Sequence, residues 1–150
     1  MIFPLGTALV GVLFCLACTA PSSTPVSDTA REPVSAERLR EEGWRVAAGD
    51  EGNYTLAWRC ANGEIPRNRD FEMELLVFSG GEPLCGAQVR VRGWMPDHGH
   101  GLVRRPNVSE VGQGRYRVEG MLLHMRGLWR IYFDVVHEGS VDIVGFEQRI

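Results

Sequence analysis

Trp129-Arg130-Ile131-Tyr132-Phe133-Asp134-Val135 is the stretch whose pattern decides the fold. Its apolar side chains at 129, 131, 133 and 135 face away from Arg130, Tyr132 and Asp134. That is the period of two imposed by a β-strand, where successive side chains point to opposite faces. The same alternation recurs upstream: Phe71, Met73, Leu75 and Val77 stand against Glu72 and Glu74, and Val89 and Val91 against Arg90 and Arg92. Tyr54, Leu56, Trp58 and Cys60 form another set, and Tyr116 and Val118 a further one. Turn residues divide the runs at Asn62-Gly63, Ser79-Gly80-Gly81-Glu82-Pro83, Gly112-Gln113-Gly114 and His137-Glu138-Gly139-Ser140, the last leading into Val141-Asp142-Ile143-Val144-Gly145-Phe146. No stretch carries a helical period of useful length. About seven short strands at this spacing predict an all-β fold, an immunoglobulin-like two-sheet sandwich. One face of each strand fills the core, with Trp58 and Trp129 as its central side chains.

With 150 residues the chain holds one domain plus appendages. A net charge of -3, mixed in sign and without a basic patch, argues against nucleic acid as a partner. Residues 2–17 are almost wholly apolar and end at Cys18, and a polar, proline-bearing stretch follows. A short apolar run closing on small residues reads as a secretory leader. Leu16-Ala17-Cys18 looks like the end of a bacterial lipobox, in which the cysteine is lipidated and becomes the mature N-terminus. Cys15 stands where leucine is usual, and no Lys or Arg precedes the run. An uncleaved anchor and ordinary cleavage are the alternatives, and all three place the domain in the cell envelope, outside the cytoplasm. The expected organisation is therefore a leader over 1–17, a lipid-anchored flexible linker over 18–42, and the sandwich over 43–150. The Ser/Thr/Pro-rich tether from Thr19 to about Ala36 would span roughly 20–25 Å as coil. Ser35 is placed to cap one helical turn that Gly43 stops.

Cys60 and Cys85 remain once the N-terminal pair is set aside. In an oxidising compartment they are expected to form a disulfide worth about 3 kcal/mol. Free thiols acting as soft ligands are the alternative.

Candidate chemistry is confined to two clusters. Met95-Pro96-Asp97-His98-Gly99-His100-Gly101 carries two of the four histidines, and Met121, His124 and Met125 begin about twenty residues downstream. Imidazole and thioether together select copper over harder ions, so Met95, His98, His100, His124, Met121 and Met125 form the candidate metal site. Gly99 lets the backbone fold both neighbouring imidazoles inward. On a regular strand His124 would face away from Met121 and Met125, so only one subset could serve. A metal-free reading stays open, with the methionines filling the end of the sandwich and the histidines bonding backbone groups or Asp97. Zinc held by three histidines and Asp97 would leave the methionines unexplained.

Across Trp94-Met95-Pro96-Asp97-His98-Gly99-His100-Gly101, Gly114-Arg115-Tyr116-Arg117-Val118-Glu119-Gly120 and His124-Met125-Arg126-Gly127-Leu128-Trp129, the chain resembles the YtkA-like family of bacterial envelope domains, related to the FixH group. Most of 65–136 takes part, including Phe71, Pro106 and Pro83-Leu84-Cys85-Gly86-Ala87. Leu102 stands where the family usually carries Met, and Leu123 where it often carries Phe. The resemblance implies an immunoglobulin-like envelope domain, and by association a role near copper or oxidase assembly.

Two functions follow. One is a lipid-anchored copper carrier, or an assembly factor for a cuproenzyme or oxidase. The other is a non-catalytic envelope module that holds a protein partner, with the His-Gly loop purely structural. An enzyme is not expected, since Asp97, His98 and Ser109 lack the context of a triad. Asp134, Asp142 and Glu147 read as solvent-facing, and His137 as an exposed turn residue.

Overall fold

The alternating runs do become strands. In the computed structural model residues 34–150 are described; the expected leader, Cys18 and the tether as far as residue 33 lie outside the described residues. Ser35 caps α1 (Ala36–Glu41) by accepting from Glu37 N, and Leu39 is the residue this helix buries. β1 (Arg45–Ala48), β2 (Thr55–Cys60), β3 (Phe71–Ser79), β4 (Glu82–Pro83), β5 (Gln88–Met95), β6 (His100–Gly101), β7 (Asn107–Gly112), β8 (Arg115–Met121), β9 (Leu128–His137) and β10 (Ser140–Arg149) follow.

These strands form two antiparallel sheets. One runs β1-β2-β3-β8-β7 with β4 also on β3, and the other runs β10-β9-β5-β6. Ten strands form where about seven were expected. β4 and β6 are only two residues long, and β7 is an edge strand with almost every residue exposed, so it has no inward face to create a pattern.

A single core joins the sheets. Leu56, Leu75, Val77, Tyr116 and Val118 from the first meet Val91, Trp129, Ile131, Phe133 and Val135 from the second. The Trp58 ring lies 5.8 Å from that of Phe133 and stacks at 5.0 Å on Phe146. Trp129 is fully buried and Trp58 nearly so, as the alternation predicts. Burying each such side chain contributes about 1.5–3 kcal/mol. A smaller cluster gathers Leu39, Trp44, Ala57 and Phe78 on the outer side of the first sheet, and Arg59 lies 4.3 Å over the Trp44 ring.

Two expectations are corrected. Cys60 and Cys85 are free cysteines, the first buried and the second exposed. Cys60 pairs with Met73 on β3, whereas Pro83, two residues before Cys85, pairs with Phe78. Thr55 and Pro83 both pair with Phe78, so β2 and β4 flank β3 on opposite sides, and two strand spacings of about 4.8 Å each exceed the roughly 7 Å between Cα atoms that a disulfide can span. The Cys60 thiol instead donates to the Glu64 carbonyl at 3.2 Å.

Asp142 is not solvent-facing but 1% exposed. Its carboxylate accepts from the backbone N–H groups of Glu51, Asn53, Tyr54 and Ile143 at 2.8–3.1 Å. This latch ties the turn between β1 and β2 to β10 of the opposite sheet. Burial opposes ionisation of Asp142, but the four N–H bonds outweigh it and hold the carboxyl below its usual range. Asp134 and Glu147, also read as solvent-facing, are ion-paired with Arg92 and Arg130.

Candidate metal centre

The site grows out of the β5–β6 hairpin. Met95 pairs with His100, which puts both side chains on one face of the sheet. The Met95 carbonyl accepts from His98 N and Gly99 N at 3.2 and 2.9 Å and closes the four-residue turn between them. Met95 points into the core and is fully buried, His100 is half-buried and His98 is exposed.

The second cluster is not on a strand. β8 ends at Met121, and residues 122–127 form a loop. The parity that would have set His124 and Met125 on opposite faces therefore does not apply. This loop is pinned at three points. Leu123 O accepts from Asn68 N at 3.0 Å, Gly127 and Ile150 exchange two backbone hydrogen bonds, and the indole N–H of Trp129 donates to Met125 O at 3.1 Å.

The two clusters meet at one end of the sandwich. The His100 ring centroid lies 5.4 Å from that of His124 and 5.8 Å from that of His98. Trp129 presents its ring edge-on to both half-buried imidazoles, at 6.0 Å from His100 and 5.7 Å from His124. Gly127 adopts φ +131°, and a Cβ there would stand 2.6 Å from the Met95 methyl. The Met95 thioether thus lies against the loop that carries His124.

Of the expected residues, Met95, His98, His100 and His124 come together. Met121 is fully buried opposite Phe71, and Met125 is half-buried against the main core. Both have packing roles that explain them. Among the described residues, no group of three or more His, Cys, Asp or Glu side chains is placed to hold a metal ion. Any ion here would rest on fewer imidazoles and on sulfur.

The polar atoms are unevenly satisfied. His100 Nδ1 lies 3.0 Å from the Gly101 carbonyl, which makes Nδ1 the protonated nitrogen and leaves Nε2 with its lone pair. His124 Nδ1 is buried and has no hydrogen-bond partner among the described residues. Leaving such an atom unpaired costs about 1–3 kcal/mol, and the indole N–H of Trp58 in the core is unpartnered in the same way. Trp129, read from sequence as core alone, also walls the site. Its signal was the spacing His124-Met125-x-Gly127-x-Trp129, which holds the loop's glycine and its indole together.

Fold and site together define an antiparallel β-sandwich with a His/Met cluster at one end. Residues 61–134 match the YtkA-like family. Among solved structures it is similar to a DUF4426 family protein from Pseudomonas aeruginosa PAO1, at 13% identity and a TM-score of 0.53, over 73% of this chain and 95% of that one. It is also similar to FetP of the uropathogenic E. coli strain F11, a structure of protein expressed recombinantly in the periplasm, at 13% identity and a TM-score of 0.47, over 71% and 92% of the two chains. No curated protein matches the chain.

Proposed function

We propose that this is an extracytoplasmic envelope domain of immunoglobulin-like build, tethered through lipidated Cys18, that carries a copper ion for a partner or assembles a cuproenzyme or oxidase. The observation that carries the reading is the buried, unpartnered His124 Nδ1 beside His100, whose Nε2 is left free. Two such imidazoles with a thioether nearby are a donor set suited to Cu(I), which accepts few, soft ligands. His100 and His124 would hold the ion and Met95 would supply sulfur, while exposed His98 stands outside this set. When bound, copper would supply an exchangeable soft cation, and the chain would orient its ligands and shield them with Trp129.

The test is anaerobic titration of the full chain with Cu(I), read by tryptophan fluorescence. One equivalent should quench Trp129 and bind more weakly as pH falls through the histidine range, because a protonated imidazole cannot ligate. The double variant His100→Ala, His124→Ala should lose stoichiometric binding. No uptake by folded wild-type chain would overturn the reading in favour of the interaction module. For attachment, Cys18→Ser should abolish fatty-acid labelling; unchanged processing and labelling would refute the anchor.

A further inference from the structure

The second sheet has an unfinished edge. β5 is eight residues long and pairs on one side with β9 from Gln88 to Trp94, but on the other side β6 covers only Trp94 and Met95. Among the described residues, no other backbone bond reaches positions 88–93 from that side. The chain leaves β6 and swings away through residues 102–105, and a groove of about 710 Å³ lies between this segment and the β5 edge and extends to Tyr132 on β9. Its walls include Val91, Gly93, Trp94, Val103 and Arg105. Trp94 and Val103 are 44% and 60% exposed, large apolar side chains left in water.

The charges are also incomplete. Arg92 is held by Asp134, and Arg104 by Asp70. Arg105 in the groove, and Arg90 one pleat back along β5, have no carboxylate partner among the described residues. In a chain of net charge -3, this is a local excess of positive charge.

We infer that the β5 edge is a docking groove for an extended segment of a partner protein that carries acidic side chains. An unpaired strand edge offers alternating N–H and C=O groups, and another strand is what satisfies them in register. Trp94 and Val103 receive the partner's apolar side chains, and Arg105 and Arg90 receive its carboxylates. A second copy is a poor occupant, because antiparallel pairing of β5 with itself about Val91 sets Arg90 against Arg92 of the other copy. The groove works whether or not copper is bound, so the inference stands apart from the metal reading.

The experiment uses the full chain labelled with nitrogen-15 and three capped five-residue peptides. The first alternates valine with glutamate, the second alternates valine with lysine, and the third is the glutamate peptide N-methylated at alternate residues. The glutamate peptide should shift the amides of residues 91–94 and 102–105 saturably, and the other two should not. Arg105→Glu should weaken the glutamate peptide by about ten-fold and admit the lysine peptide. The inference is overturned by equal binding of the glutamate and lysine peptides, by indifference to N-methylation, or by no shift at millimolar glutamate peptide. It is overturned equally if those amides shift with protein concentration alone, which would assign the edge to a second copy.

Discussion

The two ends of the sandwich treat buried polar atoms in opposite ways. At one end Asp142 is 1% exposed and collects four backbone N–H bonds. At the other, along β9 past Trp129, His124 Nδ1 is buried with none. A satisfied network fixes a turn and adds stability, whereas an orphaned nitrogen costs stability and persists only where something else favours it. The first end is a latch, and the second is where the proposed copper ion would sit.

Substitutions at the two ends should differ sharply in what they cost. Asp142→Ala strands four backbone donors, and equilibrium unfolding should show a loss of about 4 kcal/mol. A loss below 1 kcal/mol would mean that the turn finds other partners. Gly49→Ala places a Cβ 2.2 Å from the Asp142 carboxylate, and should cost about 2–3 kcal/mol by forcing the latch open. Because the folded carboxyl is held below its ordinary value, its stabilisation is fully present above the unfolded pKa of about 3.9 and is lost as pH falls through the lower folded value. Unfolding midpoints measured down through this window should fall in wild type and much less in Asp142→Asn. The smallest change belongs to the other end. His124→Leu removes an unpaired nitrogen, so stability should stay within about 1 kcal/mol while copper uptake falls. A large loss of stability there would erase the contrast and make His124 structural.

How far the sequence reaches depends on which residues signal their partners locally. Alternation announces β3 and β9 because each has a fully apolar inward face, and the inward faces of β2 and β9 put Trp58 and Trp129 at the centre. β7 has no such face, and two-residue β4 and β6 are too short for any period. The histidines stood out by type and by their glycine spacing. Their meeting depended on a loop after β8 where a continued strand would have turned His124 away. Asp142 reads like any outward strand residue, because three of its four partners are the backbone of a turn some ninety positions earlier and backbone has no letter in the sequence. The disulfide was inferred from compartment and count, and neither carries the register that separates Cys60 from Cys85.

That separation gives the fold its own clock. With Cys15 and Cys18 replaced by serine, the chain would keep one exposed thiol and one buried beneath the end of β2. A thiol reagent would then take Cys85 at the rate of an ordinary surface cysteine. It would reach Cys60 only as often as the sheet edge opens, so the slow phase measures the free energy of local opening directly. Binding of copper or of a strand on β5 should leave the fast phase alone. Whichever of them lengthens the slow one is coupled to the first sheet through the shared core.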